Sequence, residues 1–337
     1  MTIQQALEKV LDHNDLLPEQ MESVMSQIMQ GEATPSQIAG FVIALRMKGE
    51  SVNELAAAAK VMRHLSTKVE VGLEDLVDTC GTGGDGSKTF NISTASAIVA
   101  ASAGVSIAKH GNRSVSSKSG SADVLEALGV KLDLEPKDVA RCVKDVGIGF
   151  MFAPMHHSSM KHAAVPRKEL AVRTLFNLLG PLTNPAGAQR QVMGVFDNTW
   201  LEPVANVLKT LGAKKALVVH SEDGLDELSI AAPSNVTELN NGDIKSYQVT
   251  PEEMGLSRSS LDDIQVEDVS QSADIIKNIL DGKLGVAADI VALNAGAAIY
   301  VADKTETLEV GVRTAQERIR SGAAKEKLSQ LILFTNQ

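Results

Sequence analysis

The sequence is poor in the residues on which several classes of protein depend. Only two of its 337 residues are cysteines, Cys80 and Cys142, and they do not form a Cys-x-x-Cys pair. A disulfide framework and a cysteine-based zinc site are therefore excluded, and a reducing compartment is expected. Aromatic residues make up only 3% of the chain, so stacking platforms for nucleobases or sugars are scarce.

Basic residues are fewer than acidic ones, and long apolar segments are absent from the sequence. The formal net charge is −10, whereas binding to a nucleic-acid backbone requires a basic surface, so nucleic acid is not an expected partner. No apolar run approaches the roughly 20 residues that span a membrane, and the first residues show no secretion signal. These absences predict a soluble, cytoplasmic protein that has no membrane partner.

The rest of the composition is that of an ordinary globular protein. Apolar residues make up 44% and charged residues 22% of the chain, which excludes disorder as its main state. At roughly 150 residues per domain, the length suggests about two domains, and it is sufficient to bury a real core.

The first quarter of the chain has helical periodicity. Apolar residues recur at helical spacing from Ile3, from Met21 and from Ile38, and a fourth pattern runs from a capping box at Ser51 to about Leu65. Four short amphipathic helices with short connections predict a small all-helical domain.

From about Leu76 onward, short apolar runs alternate with helical patterns. The strand candidates are residues 76–80, 105–108, 148–152, 192–196 and 216–220, and a hairpin is predicted at residues 236–249. This alternation predicts an α/β domain with a mostly parallel central sheet that is covered by helices on both faces. The chain becomes helical again from about Asp274.

A glycine-rich segment, residues 81–86, lies between the first predicted strand and a helix predicted to begin near Ile92. Glycines let the backbone approach a ligand closely and direct N–H groups at an anion, and the helix adds its positive N-terminal end. The segment predicts a phosphate or pyrophosphate cradle, although it is neither a P-loop nor a GxGxxG motif. The alternative is an ordinary glycine-rich turn in which Asn91 or Ser93 caps the helix.

A second polar segment, residues 109–123, follows the next predicted strand. It contains three cations, Lys109, Arg113 and Lys118, and many hydroxyl groups in an otherwise acidic protein. Such a composition is typical of an anion site, and ligands of α/β sheets bind at the carboxyl ends of strands. The alternative is a solvated loop in which Ser121 caps a helix.

An acidic segment, residues 220–228, follows a further strand and contains the adjacent carboxylates Asp226 and Glu227. Carboxylates suit Mg²⁺, which prefers oxygen ligands and often bridges carboxylate to phosphate. Taken alone, the segment is typical of a solvated surface loop. Beside two predicted phosphate cradles, Mg²⁺ is the better explanation.

A fourth segment begins with Pro166 and Arg167, and Pro166 suits the first turn of a helix. Arg167 could form a structural salt bridge or offer a bidentate fork to a substrate carboxylate, and composition does not separate the two. Four histidines between residues 110 and 162 share no closed ligand spacing with cysteine or carboxylate, so a zinc site is not favoured.

Together these segments resemble the anthranilate phosphoribosyltransferase family over nearly the whole chain. The motifs that carry the resemblance are Gly81-Thr82-Gly83-Gly84-Asp85, Asn91-Ile92-Ser93-Thr94, Lys109-His110-Gly111-Asn112-Arg113, Asp226-Glu227 and the Arg167 segment. The resemblance implies transfer of the phosphoribosyl group of 5-phosphoribosyl 1-pyrophosphate (PRPP) to the amine of anthranilate, in tryptophan biosynthesis. It also implies the fold of the nucleoside phosphorylase-like transferases, in which a small helical domain is hinged to an α/β domain.

The resemblance also implies roles for individual residues. The implied PRPP-binding residues are Gly81, Gly84, Asp85, Thr89, Asn91, Ile92, Ser93, Thr94, Lys109, His110, Gly111, Asn112, Arg113, Ser114, Val115, Ser116, Ser117 and Ser121. The implied anthranilate-binding residues are Gly81, Asn112 and Arg167. Mg²⁺, two ions per monomer, would be carried by Ser93, Asp226 and Glu227. No obligatory base is assigned, because a carboxylate or the released pyrophosphate could take the proton of the amine.

The implied division of the chain is discontinuous. Residues 1–69 and 166–180 would form the helical domain, which would carry the anthranilate side and the homodimer contact. Residues 70–165 and 181–337 would form the α/β domain, which would bind PRPP and Mg²⁺. The apolar residues Ile38, Phe41 and Val42 are expected to contribute to the dimer contact.

Two alternative functions stay open. A pyrimidine nucleoside phosphorylase-like enzyme has a similar fold, but it would bind free phosphate and would not need a loop of paired acids for Mg²⁺. A non-catalytic, nucleic-acid-binding relative of the fold would need a basic face, which the net charge of −10 opposes.

Overall fold

The computed structural model of the protein describes residues 1–84, 86–113 and 119–337. Its N-terminal part consists of the helices α1 (Ile3–Leu11), α2 (Pro18–Gln30), α3 (Pro35–Lys48) and α4 (Val52–Leu65). Thr2, Thr34 and Ser51 begin α1, α3 and α4 as capping boxes, in which each side-chain oxygen accepts a hydrogen bond from the third helical N–H. The predicted small helical domain is confirmed.

The apolar stripes of these four helices are buried within the chain itself. Met21, Phe41 and Leu45 are fully buried, and Ile38 and Val42 are each only 1% exposed. The expectation that Ile38, Phe41 and Val42 form part of a subunit contact is therefore wrong, because packing among the helices has already removed them from solvent.

Within the described residues, seven strands form one sheet. They are β1 (Val77–Gly81), β2 (Ile107–Gly111), β3 (Ile148–Phe152), β4 (Arg190–Gly194), β5 (Lys215–Ser221), β6 (Ser234–Asn240) and β7 (Asp243–Val249). Their spatial order is β3-β2-β1-β4-β5-β6-β7, with the first five parallel and the last two antiparallel. The β6–β7 hairpin turns at Asn241 and Gly242, whose positive φ angles suit a two-residue turn.

Helices alternate with these strands and close the chain. They are α5 (Ile92–Ser102), α6 (Ser121–Ala127), α7 (Pro136–Val146), α8 (Ala153–His156), α9 (Lys161–Leu170), α10 (Leu175–Leu179), α11 (Leu201–Thr210), α12 (Val269–Leu280), α13 (Val286–Val301), α14 (Leu308–Arg320) and α15 (Ala323–Thr335). The predicted fold class, a helical domain joined to an α/β domain with a mostly parallel sheet, is confirmed. Within the described residues, no helix is both long and apolar enough to cross a bilayer.

Alternate residues of the central strands face two different cores, as the period of two along a strand requires. In β5, Leu217 and Val219 belong to a core shared with α5 and α13. Ala216 and Val218 belong to a second core, shared with α11 and the N-terminal helices. The N-terminal helices therefore pack onto one face of the sheet.

The order of the strands creates a switch point between β1 and β4. From β1 the chain moves outward to β2 and β3, and it then returns to β4 on the other side of β1 and moves outward to β5. Loops that leave adjacent strands in opposite directions open a crevice at the carboxyl ends of those strands, where ligands of α/β proteins bind. The candidate site lies there.

Helix α9 begins earlier than the sequence predicts. Pro166 was expected in a first helical turn, but it lies inside α9, which continues directly from a 3₁₀ turn at Ser158–Met160. Because Pro166 has no N–H, the helix lacks one backbone hydrogen bond at this position. Arg167 consequently lies in the last turn of α9, which packs against α2 and α3.

Candidate active site

A small cleft opens at the carboxyl ends of β1 and β4. The residues around it that concern the chemistry are Thr79, Ser93, Gly194, Asp226, Glu227 and Asn294. The predicted metal residues Ser93, Asp226 and Glu227 thus meet in one cleft, although Ser93 lies more than 130 positions before the adjacent pair Asp226 and Glu227.

The glycine-rich loop follows β1 along the edge of this cleft. Gly83, Gly84 and Gly86 have φ angles of 66°, 79° and 75°, a conformation that residues with a Cβ rarely adopt. The N–H of Gly83 donates a hydrogen bond of 2.8 Å to Oδ2 of Asp226, and the N–H of Thr82 donates one of 3.0 Å to the carbonyl of Gly194. Both of these N–H groups therefore have acceptors within the chain, and one of the acceptors is itself an anionic carboxylate.

Two glycines allow the acidic segment to approach the sheet closely. A Cβ on Gly81 would overlap the carboxylate of Asp226, and a Cβ on Gly194 would overlap the backbone oxygen of the same residue. Gly194 was not among the predicted site residues, because a glycine in the middle of the predicted strand at residues 192–196 was its only signal in the sequence. Any side chain at position 194 would displace Asp226 from the cleft.

The acidic segment itself is held by internal hydrogen bonds. Asp223 accepts a hydrogen bond of 2.5 Å from the Ser229 hydroxyl and a longer one, 3.3 Å, from the N–H of Leu225. Asp223 is thus used in folding the loop, whereas Asp226 and Glu227 line the cleft.

The donor set of the cleft fits Mg²⁺. It includes the Ser93 hydroxyl and the two carboxylates of Asp226 and Glu227, which are the hard oxygen ligands that this ion prefers. No three His, Cys, Asp or Glu side chains form a closed metal centre in the part of the chain that the structure describes. Further ligands would have to come from water or from phosphate oxygens, as is common for Mg²⁺.

The helix that follows the glycine loop begins at the cleft. Asn91 caps α5 by accepting a hydrogen bond of 3.0 Å from the N–H of Thr94, and its amide donates to the carbonyl of Ser119 at 3.0 Å. Ile92, another predicted PRPP-binding residue, is fully buried. Thr89 lies at an isolated bridge to Gln265. The capped turn that was the alternative interpretation is therefore present, and it does not exclude an anion cradle.

The prediction that Lys109 lies in a polar loop is wrong, because Lys109 belongs to strand β2. Strand β2 extends to Gly111 because it pairs with β3 along its whole length. The Lys109 ammonium is buried and donates to the carbonyl of Thr79 and, at 3.2 Å, to the hydroxyl of Ser93. Burial lowers the pKa of Lys109, while the nearby carboxylate of Asp78 acts in the opposite direction. Lys109 therefore joins β1, β2 and α5 beside the cleft.

The other described residues of this segment surround the start of α6. Arg113 pairs with Asp123 at 2.8 Å and with Glu126 at 2.5 Å, so its charge is compensated within the chain. Asn112 accepts a hydrogen bond from the N–H of Ala122 through its carbonyl. Ser121 is the first residue of α6 and does not cap it, because the N-cap is Gly120. The predicted residues Asp85, Ser114, Val115, Ser116 and Ser117 lie outside the described residues.

The guanidinium of Arg167 lies over an aromatic ring. Its Cζ lies 5.5 Å from the centre of the Phe176 ring, and burial lowers its pKa. Across residues 1–84, 86–113 and 119–337, no carboxylate forms an ion pair with it. The interpretation of Arg167 as a structural salt bridge therefore has no support, and its fork remains available to a ligand.

Two buried histidines lie against each other next to β2. The ring centres of His110 and His157 are 5.1 Å apart, and within the described chain neither Nε2 atom has a hydrogen-bond partner. Burial lowers the pKa of His110 to about 3 and that of His157 to about 4. Both rings are therefore neutral at physiological pH, and neither offers an imidazolium to an anion.

These pKa values predict that the protein loses stability in mild acid. A histidine whose pKa falls on folding stabilises the native state fully above its unfolded value of about 6.5, and this stability is lost as the pH falls from there towards 4. Replacing His157 with asparagine should reduce the loss of unfolding free energy between pH 6.5 and 4.5 by about 2–3 kcal/mol. Urea unfolding at several pH values measures this.

The comparison with the parent protein isolates His157 from other titrating groups. Asp78 has the opposite effect on the pH dependence of the unfolding free energy. Burial raises its pKa to about 6, so its contribution to stability increases as the pH falls. Replacing the exposed His64 with asparagine is the control and should leave the pH profile unchanged. A His157→Asn profile parallel to that of the parent would contradict the prediction.

Comparisons with known proteins agree with this geometry. Residues 4–66 match the family described as "Glycosyl transferase family, helical bundle domain", and residues 73–325 match "Glycosyl transferase family, a/b domain". Among curated proteins, the anthranilate phosphoribosyltransferase of Thioalkalivibrio sulfidiphilus is 59% identical over 335 residues, covering 99% of both chains. That of Methylococcus capsulatus is 55% identical over 337 residues, covering 100% of this chain and 99% of its own.

Solved structures show the same likeness. Anthranilate phosphoribosyltransferase from Thermus thermophilus is 44% identical, with a TM-score of 0.94 over 98% of this chain and 99% of its own. The Saccharomyces cerevisiae enzyme, solved in complex with PRPP and Mg, is 27% identical, with a TM-score of 0.90 over 99% of this chain and 98% of its own. The resemblance seen in the sequence motifs is confirmed, and the protein belongs to the anthranilate phosphoribosyltransferase family of glycosyltransferases.

Proposed function

We propose that the protein transfers the phosphoribosyl group of PRPP to the amine of anthranilate, giving N-(5-phosphoribosyl)anthranilate and pyrophosphate, in L-tryptophan biosynthesis. The observation that carries the proposal is the cleft between β1 and β4. It brings a glycine-rich anion loop, the start of α5 and an adjacent pair of carboxylates to one place. This combination suits a diphosphate ester together with Mg²⁺.

The PRPP side of the site is proposed to be the two loops after β1 and β2. Backbone N–H groups around Gly83 and the N-terminal end of α5 stabilise the negative charge that develops on the leaving pyrophosphate. Ser93, Asp226 and Glu227 would hold Mg²⁺, two ions per monomer, and bound Mg²⁺ would neutralise charge on the diphosphate. In this reaction the bond between C1′ and the pyrophosphate oxygen breaks, and its electron pair leaves with the pyrophosphate.

The anthranilate side is proposed to be formed by Arg167, Asn112 and Gly81. The guanidinium fork of Arg167 matches a carboxylate and would orient the ring of anthranilate. The neutral aromatic amine then attacks C1′ of the ribose, and its surplus proton passes to a carboxylate or to pyrophosphate. Because no general base is required for the attack, positioning and electrostatics supply most of the rate enhancement.

We propose the domain division expected from the family, in which residues 1–69 and 166–180 form the helical domain. The packing of α9 against α2 and α3, and of α10 against α3 and α4, supports it. We also propose a cytoplasmic location, which the free thiols of Cys80 and Cys142 support.

The test of the proposed function is a direct assay. The protein is mixed with PRPP, Mg²⁺ and anthranilate, and the fluorescence of anthranilate should fall as the product forms. Omission of Mg²⁺ should slow the loss strongly. A stable fluorescence signal, combined with phosphate-dependent cleavage of a pyrimidine nucleoside by the same preparation, would contradict the proposal.

We propose that the protein is a homodimer joined through its helical domain. The apolar side chains that remain exposed there include Leu11, Leu17 and Met47, at 63%, 52% and 78% exposure. Sedimentation velocity should give the mass of a dimer for the parent protein. Replacing Leu11 and Met47 together with glutamate should shift it towards the monomer, because charges at an apolar contact cannot be desolvated cheaply.

Leu333 offers a matched control for the dimer. It is similarly apolar and 67% exposed, but it lies on α15 of the other domain. Leu333→Glu should leave the sedimentation coefficient unchanged. A monomeric parent protein, or a dimer that only Leu333→Glu disrupts, would overturn the assignment.

A further inference from the structure

Asn294 is a buried amide at the wall of the cleft. It lies on α13, is only 4% exposed and lines the same cleft as Asp226 and Glu227. The sequence analysis assigned it no role. An amide in such a position must satisfy both of its ends, and the partners it uses reveal what it holds in place.

The side-chain amide of Asn294 forms two hydrogen bonds with the backbone of Leu228. Its Oδ1 accepts a hydrogen bond of 3.0 Å from the N–H of Leu228, and its Nδ2 donates one of 2.9 Å to the carbonyl of Leu228. The second proton of Nδ2 goes to the carbonyl of Ile290 on α13 itself, also at 2.9 Å. Leu228 immediately follows Glu227 in the chain, so the amide fixes the backbone directly beside the proposed metal ligands.

The helix that carries Asn294 is a firm support. Helix α13 packs against β1, β4 and β5, the strands on either side of the switch point. It also lies very close to α14, since a Cβ on Gly296 would be only 2.5 Å from the backbone nitrogen of Val312. Because the Asn294 side chain is bonded to the backbone of Leu228, it fixes the acidic loop relative to helix α13.

Other parts of the acidic loop are held from other directions. Asp226 is held from the side of β1 and β4, through Gly83 and the close approach to Gly194. Asp223 and Ser229 bond to each other within the loop. The clamp on Leu228 ties the loop directly to α13 through two hydrogen bonds.

We propose that Asn294 is a positioning residue for the Asp226–Glu227 pair, acting through the backbone of Leu228 and thereby setting the affinity of the site for the divalent cation. The proposal rests on the metal-binding role of this pair in the proposed function. Partners that orient metal ligands from behind typically contribute 10- to 100-fold to metal affinity or activity. Only an amide of this length offers an acceptor and two donors to the three backbone groups it meets.

The test compares Asn294→Ala with Asn184→Ala. Asn184 is an equally buried amide, also 4% exposed, with its own set of hydrogen bonds to Asp78, to the carbonyl of Ala108 and from the N–H of Ala186. Both variants should lower the melting temperature. The distinguishing measurement is Mn²⁺ binding in the presence of inorganic pyrophosphate, followed by the electron paramagnetic resonance signal of free Mn²⁺.

We expect Asn294→Ala to weaken Mn²⁺ binding about 10- to 100-fold and Asn184→Ala to change it less than about threefold. If Asn294→Ala does not fold, Asn294→Ser is used, because it keeps one hydroxyl for the Leu228 backbone. Its Mn²⁺ binding should be weaker than that of the parent protein and weaker than that of Asn184→Ala. Equal Mn²⁺ affinities in the Asn294 variant and the parent, or equal losses in the Asn294 and Asn184 variants, would overturn the proposal.

Failure of the proposed function and failure of the positioning role of Asn294 give different results. If the parent protein binds Mn²⁺ with pyrophosphate but does not consume anthranilate, the proposed function fails while the Asn294 comparison still decides this inference. If the parent protein does not bind Mn²⁺ with pyrophosphate, the positioning role is overturned together with the metal site.

Discussion

Replacing Asp226 with asparagine and Glu227 with glutamine in one protein is expected to lower kcat/KM for PRPP at least about a hundredfold. These carboxylates line the cleft with Ser93 and are the proposed ligands of Mg²⁺. A metal that neutralises a leaving group contributes several kcal/mol of transition-state stabilisation, and each 1.36 kcal/mol is a factor of ten in rate. The Mg²⁺ concentration needed for half the maximal rate should rise as well.

The double substitution keeps the shape of the site. The carbonyl oxygen of an asparagine at position 226 can still accept the hydrogen bond that Gly83 donates to the native carboxylate. The melting temperature should therefore change little, while initial rates measured over a range of Mg²⁺ concentrations reveal the loss.

A matched control removes the same two charges elsewhere. Asp133 and Glu135 are exposed and do not line the cleft, so their replacement with asparagine and glutamine should leave kcat/KM unchanged. Near-native turnover of the Asp226–Glu227 variant at ordinary Mg²⁺ concentrations would show that the pair does not hold the metal.

Arg167→Ala is expected to raise the KM for anthranilate about ten- to more than a hundredfold. The guanidinium is partly buried above Phe176 and free of carboxylate partners in the described part of the chain, so it is ready to bind one from a ligand. The loss of a hydrogen bond to a charged group costs about 1.5–3 kcal/mol. The KM for PRPP should move much less, because the proposed PRPP contacts lie in the loops after β1 and β2.

Two further substitutions separate recognition from bracing of the structure. Arg167→Lys keeps the charge without the bidentate fork and should fall between the parent and the alanine variant. Lys168→Ala removes an exposed cation from the same helical turn and should leave both KM values unchanged. If Arg167→Ala raised both KM values equally and lowered the melting temperature, Arg167 would be a structural residue.

The sequence alone determined the elements of the fold. Helical periodicity placed the four N-terminal helices, and the strand at residues 148–152 was predicted with the bounds that the structure has. These elements have strong local signals, because burial of one helix face or of a whole strand selects the residue type at each position. The glycine loop and the acidic pair were likewise identified from residue types that are needed for their chemistry.

The tertiary structure decided how those elements pair, which side chains they bury and which segments come into contact. Lys109 looks like a loop residue in the sequence, but the pairing of β2 with β3 extends the strand and buries its ammonium against Thr79 and Ser93. Gly194 and Asn294 carry no local signal, because their importance comes from a segment more than 30 residues away in the chain. Close approach and buried amide pairing are properties of two segments together, so they exist only once the chain has folded.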